Sequence, residues 1–168
     1  METHKLLSLA NIDEIPLIQH VAYATWPDTF GRILSSDQIN YMLGLMYNTE
    51  ELSRQINAPH YRYYLIWGDA GFVAIEFHHD NTTATKIHKL YLLPAHQGKG
   101  WGRKVIEEIG AIARTQGDEA LILNVNKQNP ATGFYEKCGF FRWKSEIIDI
   151  GQGYVMEDYV YRLKLKNF

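Results

Sequence analysis

The sequence predicts an α/β fold of the α+β kind, organised as one domain over residues 1–168. Three observations carry that expectation. The apolar run Leu90–Leu93 stops at Pro94 and gives way to Gly98-Lys99-Gly100-Trp101-Gly102, after which Val105, Ile106, Ile109, Ile112 and Ala113 recur at the spacing of one helix face. Upstream, Tyr61–Trp67, Phe72–Phe77 and Thr83–Leu93 read as strands joined by two turn segments, Gly68–Gly71 and His78–Thr82, an antiparallel meander. Downstream, Leu121–Val125 is a second buried strand, separated from the first by the helix that a parallel crossover requires.

The composition sets bounds on class. A chain of 168 residues can bury a substantial core, and 46% hydrophobic with 21% charged residues is ordinary for a globular protein. A net charge of −2 gives no basic signature of a nucleic-acid binder or of a membrane-surface protein. The one cysteine, Cys138, excludes an internal disulfide. Met1-Glu2-Thr3-His4-Lys5 opens no apolar run of signal-peptide length, and no stretch approaches a membrane span, so a cytoplasmic location without membrane association is expected.

Taken in order, Lys5–Leu9 reads as a first strand. Asp13 is placed to cap the following helix, which tolerates Pro16 in its first turn and shows Ile15, Ile18, Val21 and Ala22 on one face. Trp26-Pro27-Asp28-Thr29-Phe30-Gly31 breaks that pattern. Ser35 and Gln38 have capping-box spacing for a second helix carrying Ile39, Met42, Leu43 and Met46, and Thr49 is a cap for a third carrying Leu52 and Ile56. At the far end, Phe141–Ile150 and Tyr154–Leu165 flank Gly151-Gln152-Gly153 as a closing hairpin. His78, His79 and Asp80 suggest metal ligands by type. Adjacent strand residues face opposite ways, however, and no spaced Cys/His set accompanies them, so no metal is expected.

The glycine loop carries the chemistry. A helix N-terminus presents unpaired N–H groups and partial positive charge, glycine lets an anion approach them, and Lys99 and Arg103 add full charges. The ligand this suggests is a nucleotide or a nucleotide-containing cofactor; the alternative is a tight turn without a ligand. The spacing does not fit G-x-G-x-x-G or the P-loop. It does fit Gln97-x-x-Gly100-x-Gly102, which resembles the acetyl-CoA loop, [QR]-x-x-G-x-[GA], of the GNAT superfamily of N-acetyltransferases. The later stretch, from Leu121–Val125 through Asn129-Pro130-Ala131 to Phe134-Tyr135-Glu136-Lys137-Cys138-Gly139-Phe140, is similar to the second half of such a domain.

The resemblance implies a mixed, mostly antiparallel seven-stranded sheet, a central parallel pair that splays apart, and helices on both faces. It implies acetyl-CoA as co-substrate. Its pantetheine arm would lie on the backbone of Leu90, Tyr91 and Leu92, and its pyrophosphate on Gln97, Gly98, Lys99, Gly100, Trp101, Gly102 and Arg103. Asn129 would contact the pantetheine chain, and Tyr135 would sit near the sulfur as the acid that protonates the departing thiolate. A tyrosine of reference pKa about 10 is protonated at neutral pH, as an acid must be. The amine would attack the thioester directly, with an N–H of the splayed strand, at Leu92, polarising the carbonyl, and Cys138 would pack rather than react.

Several relatives carry a glutamate base where this chain has Asn124, so the base stays open among Glu76, His78, Asp149, Glu157 and a chain of waters. Trp26, Asp28, Tyr41 and Glu76 are the candidate acceptor-site residues, with core packing as the competing role for Trp26. The wording Trp26–Phe30, Gln38–Leu43, Met46-Tyr47 and Tyr154–Tyr159 also resembles the bacterial spermidine/spermine branch, which implies a small-molecule amine acceptor such as a polyamine. Two other readings stay open: acetylation of a protein or peptide amine, and a non-catalytic acetyl-CoA sensor. A homodimer is compatible with the fold, and the sequence does not specify one.

Overall fold

The computed structural model describes residues 5–166; residues 1–4, which include most of the stretch read above for a leader, and residues 167–168 lie outside the description. Seven strands form one sheet in the order β1-β2-β3-β4-β5-β7-β6. They are β1 Leu7–Leu9, β2 Tyr61–Ile66, β3 Gly71–Glu76, β4 Ala84–Leu92, β5 Ala120–Asn126, β6 Phe141–Gly151 and β7 Tyr154–Lys164. All neighbours pair antiparallel except β4 and β5. That parallel link is made through α4, Trp101–Thr115, as the crossover rule demands.

Helices cover both faces. The helices α1 Ile15–Phe30, α2 Ser36–Met46 and α3 Thr49–Ile56 pack over a core that includes Ile18, Leu43, Leu52, Tyr63 and Phe72. On the opposite face α4 buries Val105, Ile106, Ile109 and Ala113 against Ile66, Val73, Ile75 and Leu121, joined by part of α5, Ala131–Lys137.

Several helix limits differ from expectation, each for a local reason. Asn11, not Asp13, caps the entry to α1: its side chain accepts from Asp13 N at 2.8 Å, and Glu14 reaches back to Asn11 N at 2.7 Å. Asn48, not Thr49, caps α3, accepting from Glu51 N at 2.8 Å. Ser35 caps α2, but Gln38 is drawn away from the return bond of a capping box and donates to Val155 O at 3.2 Å on β7.

The largest departure is at Trp26–Phe30, where α1 runs on through Pro27. An interior proline costs about 3 kcal/mol. The compensation is the burial of Trp26 and Phe30, one turn apart with ring centroids at 4.6 Å, at about 1.5–3 kcal/mol per large side chain. Tertiary packing therefore outweighs the breaker, and it brings Asp28 to the end of α1 that faces the parted strands.

Candidate active site

Parallel pairing of β4 with β5 runs only from Ala84↔Ala120 to Ile87↔Leu123. Beyond that the strands part, although β4 extends to Leu92 and β5 to Asn126. The other edge of β4 stays bonded to β3. Leu93 N donates to Ala70 O at 2.8 Å, so by antiparallel alternation the backbone groups of Leu90 and Leu92 turn away from β3 and towards β5. Leu92 O is taken by Gln97 Nε2 at 2.9 Å, which folds the glycine loop back onto the strand end. The Leu92 N–H is left facing the gap.

A cavity of about 970 Å³ fills this gap. At one end it meets Gln97, Gly98, Gly100, Trp101 and Gly102, and along its side Asn129, Phe134 and Tyr135. Gly98 and Gly100 have φ of +75° and +77°, a region that favours glycine, and an added Cβ at either would meet nothing within 4 Å. The loop is thus shaped for backbone N–H groups to face open space at the start of α4. Lys99 and Arg103 are not in the cavity wall. Lys99 Nζ lies 5.3 Å over the Trp101 ring, and Arg103 donates to Lys137 O at 2.8 Å. Trp101 anchors the loop between His96, at 5.3 Å, and Trp67, at 5.8 Å.

Gly102 has a different reason: a Cβ there would lie 2.8 Å from Phe134 Cζ. Gly102→Val is expected to push Phe134 and α5 outward and to weaken acetyl-CoA binding about tenfold, about 1.4 kcal/mol, in a calorimetric titration.

Asn129 Oδ1 accepts from Ala131 N at 2.9 Å and so starts α5, while the asparagine itself lines the cavity. Tyr135 is half-buried on α5 between Phe134 and Phe140, and burial pushes its hydroxyl well above the ordinary tyrosine range. Cys138, also half-buried, is not a lining residue, and burial raises its thiol, which disfavours the reactive thiolate.

The other half of the cavity is walled by α1, α2 and the closing hairpin. Trp26 belongs mainly to the core, packed on Phe30 and Tyr47, with an edge in the wall; Asp28 is exposed at the rim. Tyr41 is absent from the wall: its hydroxyl donates to Ile150 O at 2.9 Å and ties α2 to β6. Glu76 is absent too, since His79 and His88 engage it at the end of β3. Burial pushes the Glu76 carboxyl up, but the hydrogen bonds and charge of the two histidines outweigh that and hold it low.

Of the sequence candidates for the base, none lines the cavity. His78 pairs with buried Asp118 at 2.7 Å, Asp149 holds Gly151 N at the hairpin turn, and Glu157 is exposed on β7. The buried acid that does line it is Asp158, 6% exposed. Asn124 Nδ2 donates to Asp158 Oδ2 at 3.3 Å and to Glu146 Oε2 at 3.0 Å, whereas Asp158 Oδ1 is buried without a partner among the described residues. Burial raises the Asp158 carboxyl, the Asn124 hydrogen bond opposes this, and the charge of Glu146 adds to the rise. The signal was present in the strand: alternation along β7 turns Met156, Asp158 and Val160 inward and Glu157 outward. Lys89, 5% exposed, also lines the cavity; burial among Tyr47, Tyr63 and Gln55 holds its ammonium down to about 7.

A parted parallel pair with a glycine loop at one end and a helix-walled pocket at the other is the arrangement that the resemblance implies. The chain belongs to the Acetyltransferase (GNAT) family, whose profile matches residues 24–140. Family membership makes it an acetyltransferase, with acetyl-CoA as the co-substrate of the family. The same fold is found in the PaiA N-acetyltransferase of Thermoplasma acidophilum, solved with coenzyme A: TM-score 0.77, 22% identity, covering 94% of this chain and 98% of that one. It is found again in a mutant form of the spermidine N-acetyltransferase SpeG of Vibrio cholerae: TM-score 0.68, 17% identity, 95% and 92% coverage. A sequence relative, the L-methionine sulfoximine/L-methionine sulfone acetyltransferase of Salmonella typhimurium, is 38% identical over 53 residues; the match spans 32% of this chain and 31% of the relative. Among the described residues, no helix is long and apolar enough to cross a membrane.

Proposed function

We propose that the protein acetylates a primary amine borne on a flexible aliphatic body, a small amine of the polyamine kind, by direct attack on acetyl-CoA within this cavity. The observation that carries the reading is Asp158. It is a buried carboxylate with one unpartnered oxygen, facing a pocket whose other walls are Trp26, Phe30, Met42, Met46 and Ile148. Apolar walls accept methylene groups, and a carboxylate at the inner end with Asp28 at the rim suits ammonium groups. The shared fold with a spermidine N-acetyltransferase is in keeping with such an acceptor.

Acetyl-CoA supplies a thioester, the activated acyl group. Gly98 and Gly100 open the loop to its pyrophosphate, the N-terminal N–H groups of α4 take up that charge, and the edge of Leu90 and Leu92 receives the pantetheine amides. Asp158 accepts the proton that the acceptor ammonium, of pKa about 10, must lose before it attacks. The Leu92 N–H stabilises charge on the carbonyl oxygen, Tyr135 gives a proton to sulfur as the C–S bond breaks and the C–N bond forms, and the second proton that the nitrogen sheds on becoming an amide passes to solvent.

The test is continuous release of CoA thiol against spermidine, spermine, diamines, amino acids and lysine or N-terminal peptides. The reading expects turnover with polyamines and diamines. Turnover confined to peptides would move the acceptor to proteins, and acetyl-CoA binding without release by any amine would favour a sensor.

A further inference from the structure

A second cluster of functional groups touches the acetyl-transfer cavity through one member: His88 lines it, whereas Glu76 and His79 do not. Glu76 ends β3, His79 sits in the turn that follows, and His88 is in β4. One ligand atom from each lies within 4.8 Å of the other two. Glu76 Oε1 meets both histidines, His79 through Nδ1 and His88 through Nε2 at 3.1 Å. All three side chains are partly buried, at 19% exposure for His79, 24% for His88 and 32% for Glu76.

Two irregularities of the backbone create this convergence. The β3–β4 register slips between Ala74↔Lys89 and Ile75↔Ile87, so His88 is the extra residue of a β-bulge. Its ring is stacked on Tyr61, at 5.0 Å and 20°. The turn holds three non-glycine residues in the left-handed region, His78 at φ 52°, Asp80 at 52° and Asn81 at 58°. Left-handed non-glycine backbone is uncommon and gathers at functional sites. The strained turn sends His78 to Asp118 and His79 to Glu76.

We propose that Glu76, His79 and His88 form a binding site for a divalent transition-metal ion, with Zn²⁺ the cation of first choice. Two imidazoles and a carboxylate are ligands suited to zinc, and three protein ligands leave a coordination position for water or another donor. A histidine bound through one ring nitrogen is usually oriented by a hydrogen bond from the other, and His79 Nε2 lies 3.3 Å from Asp80 Oδ2. A bound ion would fasten the end of β3 and the turn to the bulge of β4. The bulge directly precedes Lys89–Leu92, the stretch on the edge of the acetyl-transfer cavity.

The experiment uses the full chain freed of any polyhistidine tag and stripped with chelator. Zn²⁺ is titrated by calorimetry, Co²⁺ by its visible d–d absorption, and the melting temperature is recorded with and without metal. The expected result is one Zn²⁺ per chain, a structured Co²⁺ spectrum and a metal-dependent rise in melting temperature. His79→Leu and His88→Phe, the latter keeping a ring on Tyr61, should each lower affinity by more than about tenfold and abolish the Co²⁺ bands. Asp80→Asn should lower affinity by about tenfold. Asparagine accepts the left-handed backbone at this position, so this variant remains informative if a histidine variant fails to fold. No stoichiometric binding by the wild-type chain would overturn the assignment, as would affinity unchanged in all three variants.

Discussion

Asp158→Asn is expected to lower kcat/KM for the amine by about 10²-fold at neutral pH, with acetyl-CoA affinity nearly unchanged. The substitution keeps shape and removes the group able to take a proton from the ammonium. Its signature is the pH dependence. In the proposed role Asp158 acts as a carboxylate, and burial raises its pKa from the ordinary aspartate value. In the wild-type enzyme the rate therefore rises with pH as Asp158 ionises, and is lost as pH falls through that raised value. In Asp158→Asn this limb disappears. The deficit should also shrink as pH approaches about 10, where the free amine forms without help. A purely structural aspartate would give a deficit independent of pH. Steady-state kinetics across pH, with thermal melts as a check on folding, separate the two.

Tyr135→Phe is expected to reduce kcat by about 10²-fold or more while leaving acetyl-CoA binding close to that of the wild type, since the ring still packs on Phe134 and Phe140. Burial holds the hydroxyl protonated well beyond the ordinary tyrosine range, so the acid form persists throughout the working pH range. The kcat profile should show no fall at alkaline pH from this group. Equal losses in kcat and in acetyl-CoA affinity would instead make Tyr135 a packing residue.

What the sequence made legible was the part of the molecule built from contiguous residues. Strand, glycine loop and helix are read directly from Leu90–Ala113, because glycine spacing and 3.6-residue periodicity are local signals. The order of elements was legible for the same reason. Alternation along Tyr154–Lys164 singles out Asp158, whereas Glu76, His78, Asp149 and Glu157 are candidates by residue type, and type does not report which face of a strand a side chain occupies.

Other features were closed to sequence reasoning. The persistence of α1 through Pro27 depends on what Trp26 and Phe30 pack against. Tyr41 is diverted to Ile150, 109 residues away in the chain. The meeting of Glu76, His79 and His88 depends on a one-residue slip between strands, which no spacing rule anticipates. The amide of Asn124 holds Asp158 on β7 and Glu146 on β6, contacts that no local pattern announces.

The account is tested most directly by following a labelled acetyl group through a single turnover, with enzyme in excess over acetyl-CoA and spermidine added. It predicts label on the amine, one equivalent of CoA thiol released, and none of the label on the protein when the reaction is quenched at intermediate times. Label trapped on Cys138 or Lys89, or acetyl-CoA that stays bound and intact in the presence of spermidine, would contradict it.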